Sequence, residues 1–257
     1  MMPPRIAELL APFLENVDAG HSEALLLAAR SSQLPPPCHS EERSDEEPAV
    51  LSAAQLQSIS TYIDILLRWN ARINLTAIRD PEQIVTRHFG ESLFAARHLL
   101  PRDSVSSVSS VVKKIVSTLA DVGSGAGFPG VPIKLWAPHI HLTLIESNQK
   151  KSTFLREVAR SLTLTNVNIK TQRAESIQEK FDLVTLRAVE RFESILPIAA
   201  SLLDPAGRLA LLIGAQQQAQ AQSLLPNLTW YEPKPIPLSD SRILLVADLP
   251  GTHPALA

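Results

Sequence analysis

The chain has 257 residues, 45% hydrophobic and 19% charged, a balance that fits a folded α/β domain with an added helical part and excludes wholesale disorder. Its one cysteine, Cys38, excludes an internal disulfide and a cysteine-based metal site, and points to a reducing, cytoplasmic compartment. The net charge of −2 is uneven: residues 40–50 hold five acids against Arg43, a charge of −4, which leaves +2 for the rest, enough to permit an RNA partner without requiring one.

Residues 1–30 carry a short amphipathic pattern (Ile6, Leu9, Leu10, Phe13) and an Ala/Leu-rich stretch, which predicts an N-terminal helical segment. Glu8 and Glu15 stand where a signal peptide would be basic and apolar, and the runs LALLIGA and ALLLAA fall short of a membrane span. Residues 31–50 join a proline run to a charge run without apolar period, so they read as a flexible insertion in which Cys38 is a loop thiol.

Residues 51–103 predict a helical extension. Ser52 can cap a helix in which Leu56, Ile59, Ile63, Leu66 and Leu67 share a face. After a turn near 75–79, Asp80-Pro81 starts a second helix with Val85, Phe89, Leu93, Ala96 and Leu100 on one side. Residues 104–117, with the repeat SVSSVSSVV, read as a second insertion.

From 118 to 250, apolar strands alternate with helical stretches. The strands fall at 118–122, 141–146, 167–171, 181–186, 208–213 and 242–248, with helices around 130–137, 149–162, 190–203 and 215–225. That alternation predicts a doubly wound α/β domain with a mostly parallel sheet and a ligand at the carboxyl ends of its strands.

LADVGSGAGFPGVPIK, residues 119–134, places four of the chain's nine glycines directly after the first strand. No Gly-Lys-Ser/Thr follows, so this is not a phosphate loop. The dinucleotide fingerprint asks for glycine at the sixth place, where Phe128 stands. The pattern is instead Asp121, Gly123, Gly125, Gly127, and an acid ahead of the glycines repels a pyrophosphate but suits a cationic or amino group. Glu146, 19 residues past Gly127, ends the second strand where such folds place a carboxylate on ribose hydroxyls. S-adenosylmethionine offers a sulfonium, an ammonium and a diol, and no phosphate. A tight strand-to-helix turn and a solvated strand end are the plainer readings of these features taken one at a time.

Taken together, ADVGSGAGFPGVPIK, LIESNQKKSTFLREV, WNARINLTAIRDPEQIVTRHFGESL, RAESI and FDLVTLRAV resemble the RsmG (GidB) family of bacterial small-subunit rRNA guanine-N7 methyltransferases, over about residues 52–248. The resemblance implies a class I, Rossmann-like methyltransferase domain that uses S-adenosyl-L-methionine on N7 of a guanine in a 16S rRNA loop. It implies a cofactor site at Gly123, Phe128, Ala174, Glu175 and Arg187, to which the residues themselves add Asp121, Gly125 and Glu146. Asn74, Arg87, His88, Lys150 and Lys151 would face the RNA. The expectation includes no catalytic base, no metal, no membrane, and a monomer. Two departures stand out: Glu91-Ser92 where the family has Asp-Ser, and Ile213-Gly214 where it commonly has a lysine before glycine. The alternatives are a methyltransferase acting on another substrate and, less well matched, an NAD(P)-dependent oxidoreductase.

Overall fold

The computed structural model describes residues 1–15, 51–100, 116–188 and 191–249. The acidic insertion with Cys38, residues 16–30 and the Ser/Val repeat lie outside these residues.

Helix α1 (Pro3–Leu14) starts on prolines, whose missing amides cost nothing in a first turn, and buries Ile6, Leu10, Phe13 and Leu14. Helix α2 (Ala53–Asn70) is opened by the predicted cap: Ser52 Oγ accepts from the Gln55 amide at 3.3 Å while Gln55 Oε1 accepts from the Ser52 amide at 2.8 Å. Its apolar stripe is narrower at the start than predicted. Leu56 is only half-buried, whereas Tyr62, Ile63 and Leu66 are fully enclosed.

The second predicted helix, α3, is composite. A turn at Pro81–Gln83, capped by Asp80, runs into a π-helical stretch, Ile84–Gly90, and then into α-helix Glu91–Leu99. Val85, Phe89, Leu93 and Ala96 are buried as their spacing predicts. The wider π turn adds a residue per turn, so His88, Glu91 and Ser92 are drawn inside as well. Gly90 has no room for a side chain, because a Cβ there would lie 2.5 Å from the Phe13 ring. This contact seats α1 on α3.

The remaining helices are α4 (Gly130–Trp136), α5 (Gln149–Ser161), α6 (Phe192–Ser201) and α7 (Gln218–Leu224). The strands are β1 (Thr118–Val122), β2 (His141–Ile145), β3 (Val167–Lys170), β4 (Phe181–Arg187), β5 (Leu203–Gly214), β6 (Thr229–Trp230), β7 (Lys234–Pro235) and β8 (Arg242–Asp248). They form one sheet in the order β3-β2-β1-β4-β5-β8-β6, with β7 also on β8. Strands β1 to β5 are parallel, and β8 runs antiparallel to β5. All six expected strands are present. The two-residue β6 and β7 are too short to leave a periodic signal in the sequence.

The sheet is covered on both faces. One core joins α1, α2, α3, α4 and α5 to Leu119, Leu142, Leu144, Leu183 and Leu212; the other joins Phe192, Leu196, Ala199 and Ala221 to Val122, Val184, Leu186 and Leu211. Alternate residues of one strand therefore feed opposite cores, which is why the strands read as continuous apolar runs. The helical extension thus shares the core of the first face. Among the described residues no helix is long and apolar enough to cross a membrane, and no group of three or more His, Cys, Asp or Glu is placed to hold a metal.

Candidate functional site

The strand order reverses between β1 and β4, since the chain moves outward through β2 and β3 before returning to β4. The crevice at their carboxyl ends is where an open α/β sheet receives a ligand. From β1 it is bordered by the glycine loop, and from β4 by Arg187.

Gly123, Gly125 and Gly127 all have positive φ, at 69°, 53° and 84°. At Gly127 the need for glycine is twofold, because a Cβ would also strike the Tyr62 hydroxyl. That hydroxyl donates to the Ala126 carbonyl, and burial pushes the phenol's pKa up, so it stays a donor. Four of the loop amides are engaged within the protein. Gly123 and Ser124 donate to the Ile145 carbonyl at 2.9 and 3.1 Å, Gly127 to the Ser124 carbonyl at 2.6 Å, and Gly125 to Glu146 Oε2 at 2.9 Å. A phosphate cradle works by leaving such amides free to point at the anion. This loop instead turns those amides toward the Ile145 and Ser124 carbonyls and the Glu146 carboxylate.

Glu146 follows β2 and is 8% exposed; its other oxygen accepts from the Asn148 amide at 2.7 Å. It ties the loop to the start of α5, so the two features singled out in sequence are one unit. Asp121 lies beneath the loop at 1% exposure, accepting from Thr185 Oγ1 at 2.9 Å and the Gly130 amide at 3.3 Å. Burial raises its pKa to about 7, against the lowering effect of these bonds. Asp121 reaches the crevice through its charge, not through exposed atoms. Ala174 is buried in a 3₁₀ turn, Ala174–Ser176, and the neighbouring Glu175 is exposed.

The opposite wall is a cluster around Phe128. Its ring stacks on Tyr62 at 5.4 Å and on His88 at 4.8 Å, with Phe89 edge-on at 5.1 Å. Arg187 places its guanidinium carbon 5.9 Å from the Phe128 centroid. Its Nη2 donates to the Arg87 carbonyl at 2.7 Å and to His88 Nδ1 at 3.0 Å, and pairs with Glu91 Oε2 at 3.1 Å. Accepting at Nδ1 leaves the His88 proton on Nε2, which lies 2.8 Å from Thr76 Oγ1. Burial, with Arg187, Arg87 and Arg242 nearby, pulls His88 down to about 3, so the ring is neutral.

Of the residues expected to face RNA, Arg87 is half-exposed and His88 is buried in this wall. Asn74 and Lys150 are exposed, and Lys151 is half-buried; both lysines begin α5, where Asn148 Oδ1 caps their amides. Asn70, Thr76 and Arg242 carry structural weight that the sequence did not announce. Asn70 Oδ1 accepts from the Leu75 and Thr76 amides, and its amide group donates to the Thr76 carbonyl, shaping the loop that meets His88. Arg242 stands opposite Gly214 in the β5–β8 register, at the strand end where a lysine was expected and where Ile213 is core instead. Only the i, i+4 spacing of Arg87 and Glu91 was a visible signal for this cluster. A surface cleft of about 350 Å³ at the end of α2 is lined by Arg68, Trp69, Ala71, Arg72 and Glu157.

A parallel five-strand run with an antiparallel partner beyond it, and a glycine loop after β1 with an acid after β2, define a class I methyltransferase of Rossmann-like fold. The solved magnesium protoporphyrin IX methyltransferase of Synechocystis PCC 6803, crystallised with bound SAM, has that fold; it superposes with a TM-score of 0.53 at 15% identity, covering 74% of this chain and 97% of that one. Residues 55–231 match the profile described as rRNA small subunit methyltransferase G. The protein of that name from Xylella fastidiosa (strain M23) is 37% identical over 179 residues, 69% of this chain and 77% of that protein. The one from Exiguobacterium sp. (strain ATCC BAA-1283 / AT1b) is 36% identical over 235 residues, 80% and 90% of the two chains. The chain belongs to the rRNA small subunit methyltransferase G family.

Proposed function

We propose that the protein transfers a methyl group from S-adenosyl-L-methionine to N7 of one guanine in a loop of 16S rRNA, in the cytoplasm, as a monomer and without a metal. The observation that carries the choice of cofactor is the inward commitment of the loop amides. With four amides turned inward and the Glu146 carboxylate beside them, the crevice suits a cationic ligand with a diol better than a dinucleotide. Residues 118–250 would hold the cofactor, and the extension at 51–103 would face the RNA.

When bound, S-adenosylmethionine supplies an electrophilic methyl on a sulfonium. Gly123, Gly125, Glu146, Ala174 and Glu175 would hold it from the sheet side, with Phe128 as an apolar wall and Arg187 at the end of β4. Guanine N7 has an in-plane lone pair and no proton to lose, so the protein needs no general base. Neutral His88, with both ring nitrogens engaged, is suited to hold Phe128 and Arg187 in place. The protein's contribution is alignment and exclusion of water, an effect of several kcal/mol in well-oriented reactions. The exposed Arg68, Arg72, Arg79, Lys150 and Arg191, with half-exposed Arg87 and half-buried Lys151, would supply phosphate contacts, and Asn74 lies on the same loop as Arg72 and Arg79.

Thermal unfolding with added ligand tests the cofactor. S-adenosylmethionine is expected to raise the melting temperature while NAD and ATP leave it unchanged. Equal stabilisation by NAD would replace the methyltransferase reading by an oxidoreductase one.

A further inference from the structure

Glu91 is 1% exposed and forms ion pairs with three arginines on three different segments. Oε1 receives Arg87 Nε at 3.2 Å, from the preceding turn of α3. Oε2 accepts from Arg242 Nη2 at the start of β8 and forms an ion pair with Arg187 Nη2 at the end of β4, both at 3.1 Å. Arg87 is half-exposed and solvated, but Arg187 and Arg242 are only 10% and 18% exposed. Among the described residues, the Nε atoms of Arg187 and Arg242 have no hydrogen-bond partner.

Two largely enclosed guanidiniums that share one carboxylate oxygen repel each other, and burial disfavours the charge on Arg187. Among the described residues, Glu91 and the more distant Asp121 are the carboxylates that support the charge on Arg187. Its remaining acceptors, a carbonyl and a neutral imidazole, are weaker partners. Without the Glu91 charge, Arg187 would keep the Arg87 carbonyl and His88 Nδ1 as its hydrogen-bond acceptors, with no carboxylate in contact with it among the described residues. Among the described residues no hydrogen bond or ion pair joins Glu91 to the glycine loop or to Glu146, and of its three arginine partners Arg187 is the one beside Phe128.

We propose that Glu91 is a positioning residue for the cofactor site: its carboxylate sets the direction of Arg187 and, with Arg242, couples the helical extension to the β4 end of the crevice. The inference rests on the assignment of Arg187 to the S-adenosylmethionine site. Glutamate, one methylene longer than the aspartate expected from the family resemblance, reaches from α3 to both β4 and β8 in this chain.

The test is a double-mutant cycle read by calorimetric binding of S-adenosylmethionine to the full chain, without RNA. Glu91→Gln keeps the shape and removes the charge, and is expected to raise Kd about tenfold, within the range of coupling between contacting charged residues. Glu91→Asp, which keeps the charge, is expected to recover part of that loss. On an Arg187→Ala background, Glu91→Gln is expected to cost no further affinity. In turnover, Glu91→Gln is expected to raise KM for the cofactor by a larger factor than it lowers kcat. If Arg187→Ala weakens binding but Glu91→Gln does not, or if the two losses simply multiply, the positioning role is overturned while the cofactor site stands. If Arg187→Ala leaves Kd unchanged, the assignment of Arg187 falls and takes the role of Glu91 with it. Should Glu91→Gln prove unstable, an Asp variant with wild-type melting temperature and no binding defect, combined with an additive cycle, also overturns it.

Discussion

At the scale of single residues, the site is a set of charges whose behaviour is set by burial. Asp121 illustrates this. Its folded pKa of about 7 lies above the unfolded value of 3.8, so between those values the folded state holds the extra proton. The stability Asp121 contributes is therefore complete below about pH 4 and is lost as pH rises to 7. Asp121→Asn is expected to flatten the dependence of stability on pH across that window, measured by denaturant unfolding at several pH values. An unchanged slope would mean that the carboxyl is ionised throughout. Spacing alone marked Gly123, Gly125, Gly127, Asp121 and Glu146 as one unit at the strand ends, and the positive φ of the glycines and the Gly125–Glu146 bond bear out that arrangement. What stayed hidden was which side of the loop the acids serve. Asp121 works underneath it, and Glu146 holds its Gly125 amide, since carboxylate direction depends on tertiary neighbours that no spacing records.

At the scale of elements, helix and strand patterns carried over well wherever one face meets the core. Ser52 and Asp80 cap the helices as their positions suggest, and the five-residue β1 and β2 match their apolar runs. The π-helical stretch was not legible. Its apolar residues satisfy ordinary helical spacing, and the extra residue per turn shows only in the inward rotation of His88 and Glu91. Those are the residues that meet Arg187. Helix α1 is the other informative element. It joins the core mainly through Ile6, Leu10 and Phe13, all 0–1% exposed, and Phe13 sits against Gly90 of the π stretch. Phe13→Ala is expected to cost about 3–5 kcal/mol and lower the melting temperature by roughly 10 °C. Because Gly90 lies between His88 and Glu91, weaker binding of S-adenosylmethionine is expected with it. Calorimetry of the variant checks both, and a loss under 1 kcal/mol would show that α1 contributes little to the fold.

At the scale of the whole molecule, the sheet order places one crevice between β1 and β4, and the helical extension closes over its far wall through Phe128, His88 and Arg187. The parallel run and its switch point followed from alternation of strands and helices. The antiparallel β8 did not, because an apolar strand reads the same in either direction; yet this reversal is what brings Arg242 to the carboxyl edge beside Gly214. The missing lysine at 213 and the arginine at 242 thus meet at one strand end. In the proposed reading, the crevice, the glycine loop and the half-exposed Arg87 would form a site for a cationic methyl donor facing a polyanion. Incubating the protein with methyl-labelled S-adenosylmethionine and small-subunit rRNA from cells that lack this modification, then mapping the label, tests that claim most directly. Label confined to N7 of a single loop guanine is the result predicted. Label absent from the rRNA while S-adenosylmethionine binds, or spread over many bases, would contradict it.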